Sequence, residues 1–403
     1  NRRRLGKNLW TRKAAGQPVV LAMLEDPERE AQFCADLLKD GRLAETAVLY
    51  RMNFQSRAFE ALFSRLGIPF RVVGTVRFYE REEVKDALAY LALILNPRDE
   101  VAFRRAANRP RRGLGARSVE AVLEARDRSG GDLLEAARGQ AERSARASMG
   151  LRGLLECLDR LAASLDRSTA PSLDRIVLQL IRESGLLEHY RTVDEAEGTD
   201  KAGNLQELVN ATAEYPGSRE GLALFLENLA LNSSDENPFE RTEQVTLITV
   251  HNTKGLEFDR VFLTGLEEGV FPHYASTLTE LRASGEELEE ERRLFYVGVT
   301  RAREELYLSC CLQRRVFGAL KQAEPCRFLA EIPPELLHVY GRRQEEDRFP
   351  LGCGVYHEEY GPGIVTRKWT AEGQPMVAVR FDSGRIARFP VKYCSLERIS
   401  REP

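Results

Sequence analysis

The chain has 403 residues, more than a single hydrophobic core sustains, so two or three domains are expected. Its 43% apolar and 30% charged residues are those of an ordinary globular protein, and without a run of eighteen apolar residues or a signal-peptide core after Asn1-Arg-Arg-Arg-Leu5, a cytoplasmic location away from membranes is expected. A net charge of -3 argues against a uniformly basic nucleic-acid binder and leaves local basic patches to carry any such contact.

Asn1 to Lys13 holds six basic residues and reads as a solvated connector. Ala47-Val-Leu-Tyr50 and Ile68-Pro-Phe-Arg-Val-Val73 read as strands around a helix, Ser56 to Leu66. That is a β-α-β unit, implying a parallel pair. From about Val84 the pattern changes to amphipathic helices, with Leu151, Leu154, Leu155, Leu158, Leu161 and Leu165 on one stripe, and this continues to about Thr242. Strand-type sequence resumes at Val245, so the helical stretch reads as an insertion inside an α/β domain. A beads-on-a-string order would leave the first β-α-β unit too small to hold a core.

Val245 to Val250 is mostly apolar rather than alternating, as a parallel strand covered on both faces requires. His251, Thr253, Lys254, Gly255 and Glu257 follow it, and ligands of open parallel sheets bind at the carboxyl ends of strands. A second apolar run is Val261 to Gly265. The acidic run Glu286 to Glu291 reads as a solvated helix start, favoured by the helix dipole, rather than a metal site. Glu305 to Cys311 is a further strand, and Arg327 to Pro333 closes the domain. After the charged linker Gly341 to Arg348, short alternating strands at Gly363 to Arg367, Met376 to Phe381 and Ile386 to Phe389 suggest a small barrel. The seven cysteines show no C-x-x-C spacing and no clustered histidines, so neither a disulfide framework nor a metal site is indicated.

Val245-Thr-Leu-Ile-Thr-Val-His-Asn-Thr-Lys-Gly-Leu-Glu-Phe258 and Glu291-Arg-Arg-Leu-Phe-Tyr-Val-Gly-Val-Thr-Arg-Ala302 resemble motifs V and VI of the superfamily 1 DNA helicases of the UvrD/PcrA/Rep type. The resemblance extends through Leu49 to Arg57, Arg77 to Leu88 and Phe271-Pro-His273, and Tyr360-Gly-Pro-Gly-Ile-Val365 is similar to the Tudor-like module of UvrD and PcrA. Asn252-Thr253 departs from the commoner Ser-Ala. The resemblance implies an α/β RecA-like parallel-sheet domain with an inserted all-helical domain, followed by a small all-β Tudor/SH3-like barrel. Expected bounds are 1–83 and 243–335 for the second RecA-like domain, 84–242 for the inserted arm, 336–349 for a linker and 350–403 for the Tudor-like module.

The phosphate-cradling G-x-x-x-x-G-K-[ST] loop and the Walker B acids are absent from this sequence. The expectation is therefore that the first RecA-like domain, which would hold most of the ATP and Mg2+ contacts, lies upstream, and that this chain is a C-terminal portion. The resemblance implies an ATP-dependent DNA helicase or translocase with 3′ to 5′ polarity. Arg301 would act as the arginine finger, Gly255 and Glu257 would line the ATP site, and His251 would couple nucleotide to DNA. Arg51, Asn53, His273 and Phe317 would hold single-stranded DNA, although core packing is the other reading of Phe317. In the arm, Arg112, Gly113, Leu114, Gly115 and Arg117 would contact duplex at a single-strand/double-strand junction. RNA polymerase or repair proteins are the expected partners of the C-terminal module. Two rivals are a non-enzymatic DNA-binding or polymerase-coupling adaptor without a motor, and a helicase-nuclease subunit, against which the glycine-punctuated barrel speaks.

Overall fold

The computed structural model describes residues 16–143, 145–166, 172–233, 243–273, 285–341, 349, 351–371, 374–391 and 396–399. The connector Asn1 to Lys13 and residues 342–348 of the expected linker lie outside the described residues. Two compact units result, Asn1–Gln17 with Glu25–Glu331 and Pro18–Leu24 with Ile332–Pro403.

Strand β1 (Val19–Leu24) and helix α1 (Pro27–Leu37) open the described chain, two elements beyond those expected from the sequence. The helix start is nonetheless written locally: Asp26 accepts the Arg29 amide at 2.8 Å and Pro27 occupies the first turn. Then come β2 (Thr46–Tyr50), α2 (Ser56–Leu66) and β3 (Phe70–Val73), close to the expected spans. Between β3 and β4 (Val245–Thr249) the described residues hold helices α3 (Glu82–Leu95), α4 (Glu100–Asn108), α5 (Ala116–Ser129), α6 (Leu133–Arg143), α7 (Ala145–Leu165), α8 (Leu173–Glu183), α9 (Leu186–Glu197), α10 (Lys201–Ala211) and α11 (Arg219–Ser233), and no strand. The leucine stripe of α7 is buried along its length, at 5% exposure or less, in a core shared by these helices.

β5 (Phe258–Leu263), α12 (Gly285–Val299), β6 (Ala302–Cys311) and the hairpin β7 (Gln313–Val316) and β8 (Ala319–Gln322) complete the first unit's main elements. Its strands run in the order β3-β4-β2-β5-β6, all parallel. β2 and β3 are therefore parallel but not paired, a correction to the β-α-β reading. All five residues of β4 are buried, as a strand covered on both faces requires, and it pairs with β2 on one side and β3 on the other. β3 buries only Phe70 and lies at the margin of this run.

In the second unit β1 pairs in parallel with β9 (Leu337–Tyr340). β10 (Gly354–His357), β11 (Gly361–Ala371), β12 (Gln374–Phe381), β13 (Ile386–Pro390) and β14 (Leu396–Ile399) form an antiparallel sheet in the order β13-β12-β11-β10-β14. Four strands meander and the fifth returns beside the first. Val355, Val365, Val377, Val379, Phe381, Val391 and Leu396 supply its core. The fold class is thus a RecA-like parallel α/β sheet interrupted by helices, with a small separate antiparallel sheet at the C-terminal end. No helix among the described residues is long and apolar enough to cross a membrane.

Candidate nucleotide and nucleic-acid interface

The expected site residues collect at opposite ends of the parallel sheet. β4 and β5 both run parallel to β2, with Ala47 level with Thr246 and Val261. The chain leaving β4 at Thr249 must therefore travel back the length of a strand, about 16 Å at ~3.3 Å per residue, before entering β5 at Phe258. Residues 250–257 make that return. Of the residues expected at the carboxyl ends of strands, only those at the start of this loop lie there; Gly255 and Glu257 lead into the amino end of β5, and Arg301 directly precedes β6. This corrects the single-ended picture.

At the amino end, Arg301 is held on three sides. Its Nη1 donates to the Leu256 carbonyl at 2.9 Å, its Nε to the Val297 carbonyl at 3.0 Å and its Nη2 to Thr300 Oγ1 at 3.0 Å. The Phe258 amide donates to the Arg301 carbonyl at 2.9 Å, stitching the two motif segments together. Gly255 has φ +81 with open space where a side chain would stand, so the backbone there is accessible to a ligand. Glu257 is exposed and meets Arg303 at 3.2 Å. A guanidinium fork, a bare glycine and an exposed carboxylate fit one side of a nucleotide: charge for phosphate, room for close approach, and an acceptor for a sugar hydroxyl.

At the carboxyl end, Arg51 follows β2 and Gln55 Oε1 accepts the amides of Arg51 and Met52 at 3.1 and 2.8 Å, closing the turn. The Asn53 carbonyl takes hydrogen bonds from Ser56 Oγ and Arg81 Nη1 at 2.9 and 3.0 Å. Arg51 is gripped by Glu291, which also accepts the His273 amide. Loss of hydration holds the imidazoles of His251 and His273 below their ordinary pKa, and the nearby Arg51 cation adds to this. Glu291 departs from the solvated acidic run that the sequence suggests: it is 6% exposed. The signal was available: Phe295 and Gly298, four and seven residues on, are also packed inwards, Phe295 buried and Gly298 against Leu263.

Phe317 is seated elsewhere. It forms the β7–β8 turn at φ 50, packs against the helical core, and has the Arg182 guanidinium 5.9 Å from its ring centre. Asn210 clamps the same turn, donating to the Arg315 carbonyl at 3.0 Å and accepting the Gly318 amide at 3.1 Å. In the arm loop, Arg112 turns inwards to Tyr90 Oη at 2.6 Å and the Ser184 carbonyl at 3.0 Å, and Leu114 is buried. Gly113, Gly115 and Arg117 face solvent, with Gly115 at the N-cap of α5 and no side chain capping it. A cleft of about 1690 Å3 also opens in this unit, lined by groups of both signs such as Arg57, Asp200, Glu207, His273 and Arg315. Among the described residues the one acid-and-thiol group close enough to share an ion, Glu30, Glu267 and Cys311, is filled by the Arg314 guanidinium.

The profile of the UvrD-like helicase C-terminal domain matches residues 1–143 and 155–313. DNA helicase II of Escherichia coli (strain K12) is 35% identical over 431 positions, covering 99% of this chain and 58% of the relative. ATP-dependent DNA helicase UvrD1 of Mycobacterium tuberculosis (strain ATCC 25618 / H37Rv) is 38% identical over 367 positions, covering 84% and 46%, and ATP-dependent DNA helicase PcrA of Bacillus subtilis (strain 168) is 34% identical over 364, covering 86% and 48%. The chain spans about half the length of these relatives. A parallel sheet carrying both motif segments, and a profile that covers most of the chain, establish that it belongs to the UvrD-like helicase C-terminal domain family.

Proposed function

We propose that this chain is the C-terminal portion of an ATP-dependent DNA helicase or translocase of DNA repair or replication, with 3′ to 5′ polarity. It supplies Arg301, Gly255 and Glu257 to a nucleotide shared with a P-loop domain, and grips single-stranded DNA through Arg51, Asn53 and His273, with Phe317 joining when its turn leaves the helices. ATP supplies the phosphoryl group whose transfer Arg301 would stabilise, and Mg2+ belongs with the P-loop domain. The arm loop around Gly115 meets duplex, and the C-terminal sheet meets RNA polymerase or repair proteins.

The observation that carries this reading is the division of motif residues between the two ends of one sheet. Residues 250–257 and α12 each run from one end to the other, α12 from Glu291 to the turn before Arg301. A nucleotide-driven shift at the amino end therefore reaches the strand-gripping end through two short elements, with His251 at the far end of the first.

Two measurements test it. Fluorescence anisotropy at fixed salt should show the chain binding a labelled oligo(dT). Fusion to the P-loop domain of a relative should create an ATPase stimulated by that oligonucleotide, while the chain alone hydrolyses none. A fused protein that binds DNA without hydrolysing ATP would instead support the adaptor reading.

A further inference from the structure

Midway along α12 stands a carboxylate to which the proposed function gives no role in binding. Glu291 is almost fully buried, and its oxygens take the Nε and Nη2 hydrogens of Arg51 at 2.7 to 3.1 Å. Its Oε2 also accepts the His273 amide at 3.0 Å. A carboxylate engaged by two N–H groups of one guanidinium copies the way a phosphate is held. The arginine best placed to meet a strand phosphate therefore has its fork filled from inside the protein.

Three further features bear on what this pair does. The Arg51 side chain keeps 17% exposure against 8% for that of Glu291, so the guanidinium is the partner more open to solvent. The His273 amide is a second donor to Glu291, so the carboxylate keeps a hydrogen bond when the guanidinium turns away. Arg51 and His273 follow different strands, β2 and β5, and both are residues of the expected strand contact, so Glu291 is common to the two loops.

We propose that Glu291 is a positioning residue for strand binding: it occupies the phosphate fork of Arg51 in the absence of DNA and is displaced by an entering backbone phosphate. This rests on the reading that Arg51 contacts single-stranded DNA. Glu291 keeps the guanidinium extended and aimed along the carboxyl edge, and it competes with the strand for it. The competition sets a lower affinity than Arg51 alone would give, which favours release of each phosphate as a strand moves past.

Glu291→Gln tests this. Glutamine keeps the side-chain length and can accept the His273 amide, but it lacks the charge that competes with phosphate. Binding of labelled oligo(dT) to the chain, followed by anisotropy across a salt series, should tighten on the order of threefold. The slope of log affinity against log salt should steepen by about 0.7, as for one further phosphate neutralised on a single strand. In an Arg51→Met background the same change should have no effect. Glu291→Asp, charged but one methylene too short for the fork, should shift binding in the same direction and serves if the glutamine variant does not fold. A carboxylate that only braces the fold would weaken binding or leave the slope unmoved, and either result in a folded variant overturns the proposal. Wild-type chain that binds no oligo(dT) removes the DNA reading and this proposal with it. Binding that Arg51→Met reduces but neither Glu291 variant alters removes the proposal alone.

Discussion

Arg301 uses three of its donors on the carbonyls of Leu256 and Val297 and on the Thr300 hydroxyl, so its guanidinium is held in place by the chain itself. Lysine keeps the charge but cannot reproduce that planar set of bonds. In the protein fused to a P-loop domain, Arg301→Lys should lower the DNA-stimulated ATPase rate by roughly 10³-fold while nucleotide affinity changes little. Steady-state rates beside nucleotide titrations check this, and an unchanged rate would place the finger elsewhere. Much of this residue-level picture is legible in sequence, because the spacing of Gly255, Glu257 and Arg301 within their motifs is local. That Arg51 shares its fork with Glu291, 240 positions away, is not.

Among the elements, α5 offers a clean separation of folding from binding. Its N-cap, Gly115, has φ -76 and nothing near where a side chain would stand, and no side chain caps the helix. Aspartate is a good N-cap residue and glycine a nearly equal one, so Gly115→Asp should leave stability unchanged or raise it by a few tenths of a kcal/mol. The same carboxylate would repel a phosphate approaching the first-turn amides, so affinity for a duplex junction should fall while oligo(dT) binding holds. Urea melts and paired titrations at one salt concentration measure both, and equal losses on the two DNAs would sink the assignment. The buried ion group that ties α1 to β6 and β7 gives a second test. Burial pushes the Glu30 carboxyl up from 4.5 to about 7, against the pull of Arg314 and with the push of Glu267. A folded pKa raised above the unfolded one contributes stability below pH 4.5 that is lost as pH rises through about 7. Glu30→Gln does not titrate, so its stability relative to wild type should improve between pH 5 and pH 8. A difference in urea midpoint that stays constant with pH would show that Glu30 ionises normally.

For the whole molecule, the antiparallel sheet at the C-terminal end has its own core of Val355, Val365, Val377, Val379, Phe381, Val391 and Leu396. Expressed alone, residues 350–403 should give a cooperative melt and a β-type circular dichroism spectrum, and should capture a protein partner rather than DNA. A featureless melt, or tight DNA binding without a protein partner, would count against independence or against that partner class. The first unit follows a different logic. β3 and β4 are neighbours in the sheet yet are separated by the whole helical region, so the sheet is completed only when that region brings its ends together.

By itself the sequence determined the types of the motif strands, the helical region and the C-terminal strands, since periods of 3.6 and 2 and turn residues act within a few positions, but not β1, α1 or the β7–β8 hairpin. It showed the helical interruption, the glycine-punctuated strands at the end and the paired motif segments. Tertiary structure decided that β4 lies between β2 and β3, because an apolar run shows that both faces of a strand are covered but not which strands flank it. It also decided that Gly255 and Glu257 stand at the opposite end of the sheet from His251, since a parallel strand order obliges the chain to return before β5 begins. The inward turn of Arg112, the seating of Phe317 on the helices and the Glu291 grip on Arg51 were decided there too. Each depends on which distant residue fills the space beside a side chain, and no local pattern encodes that.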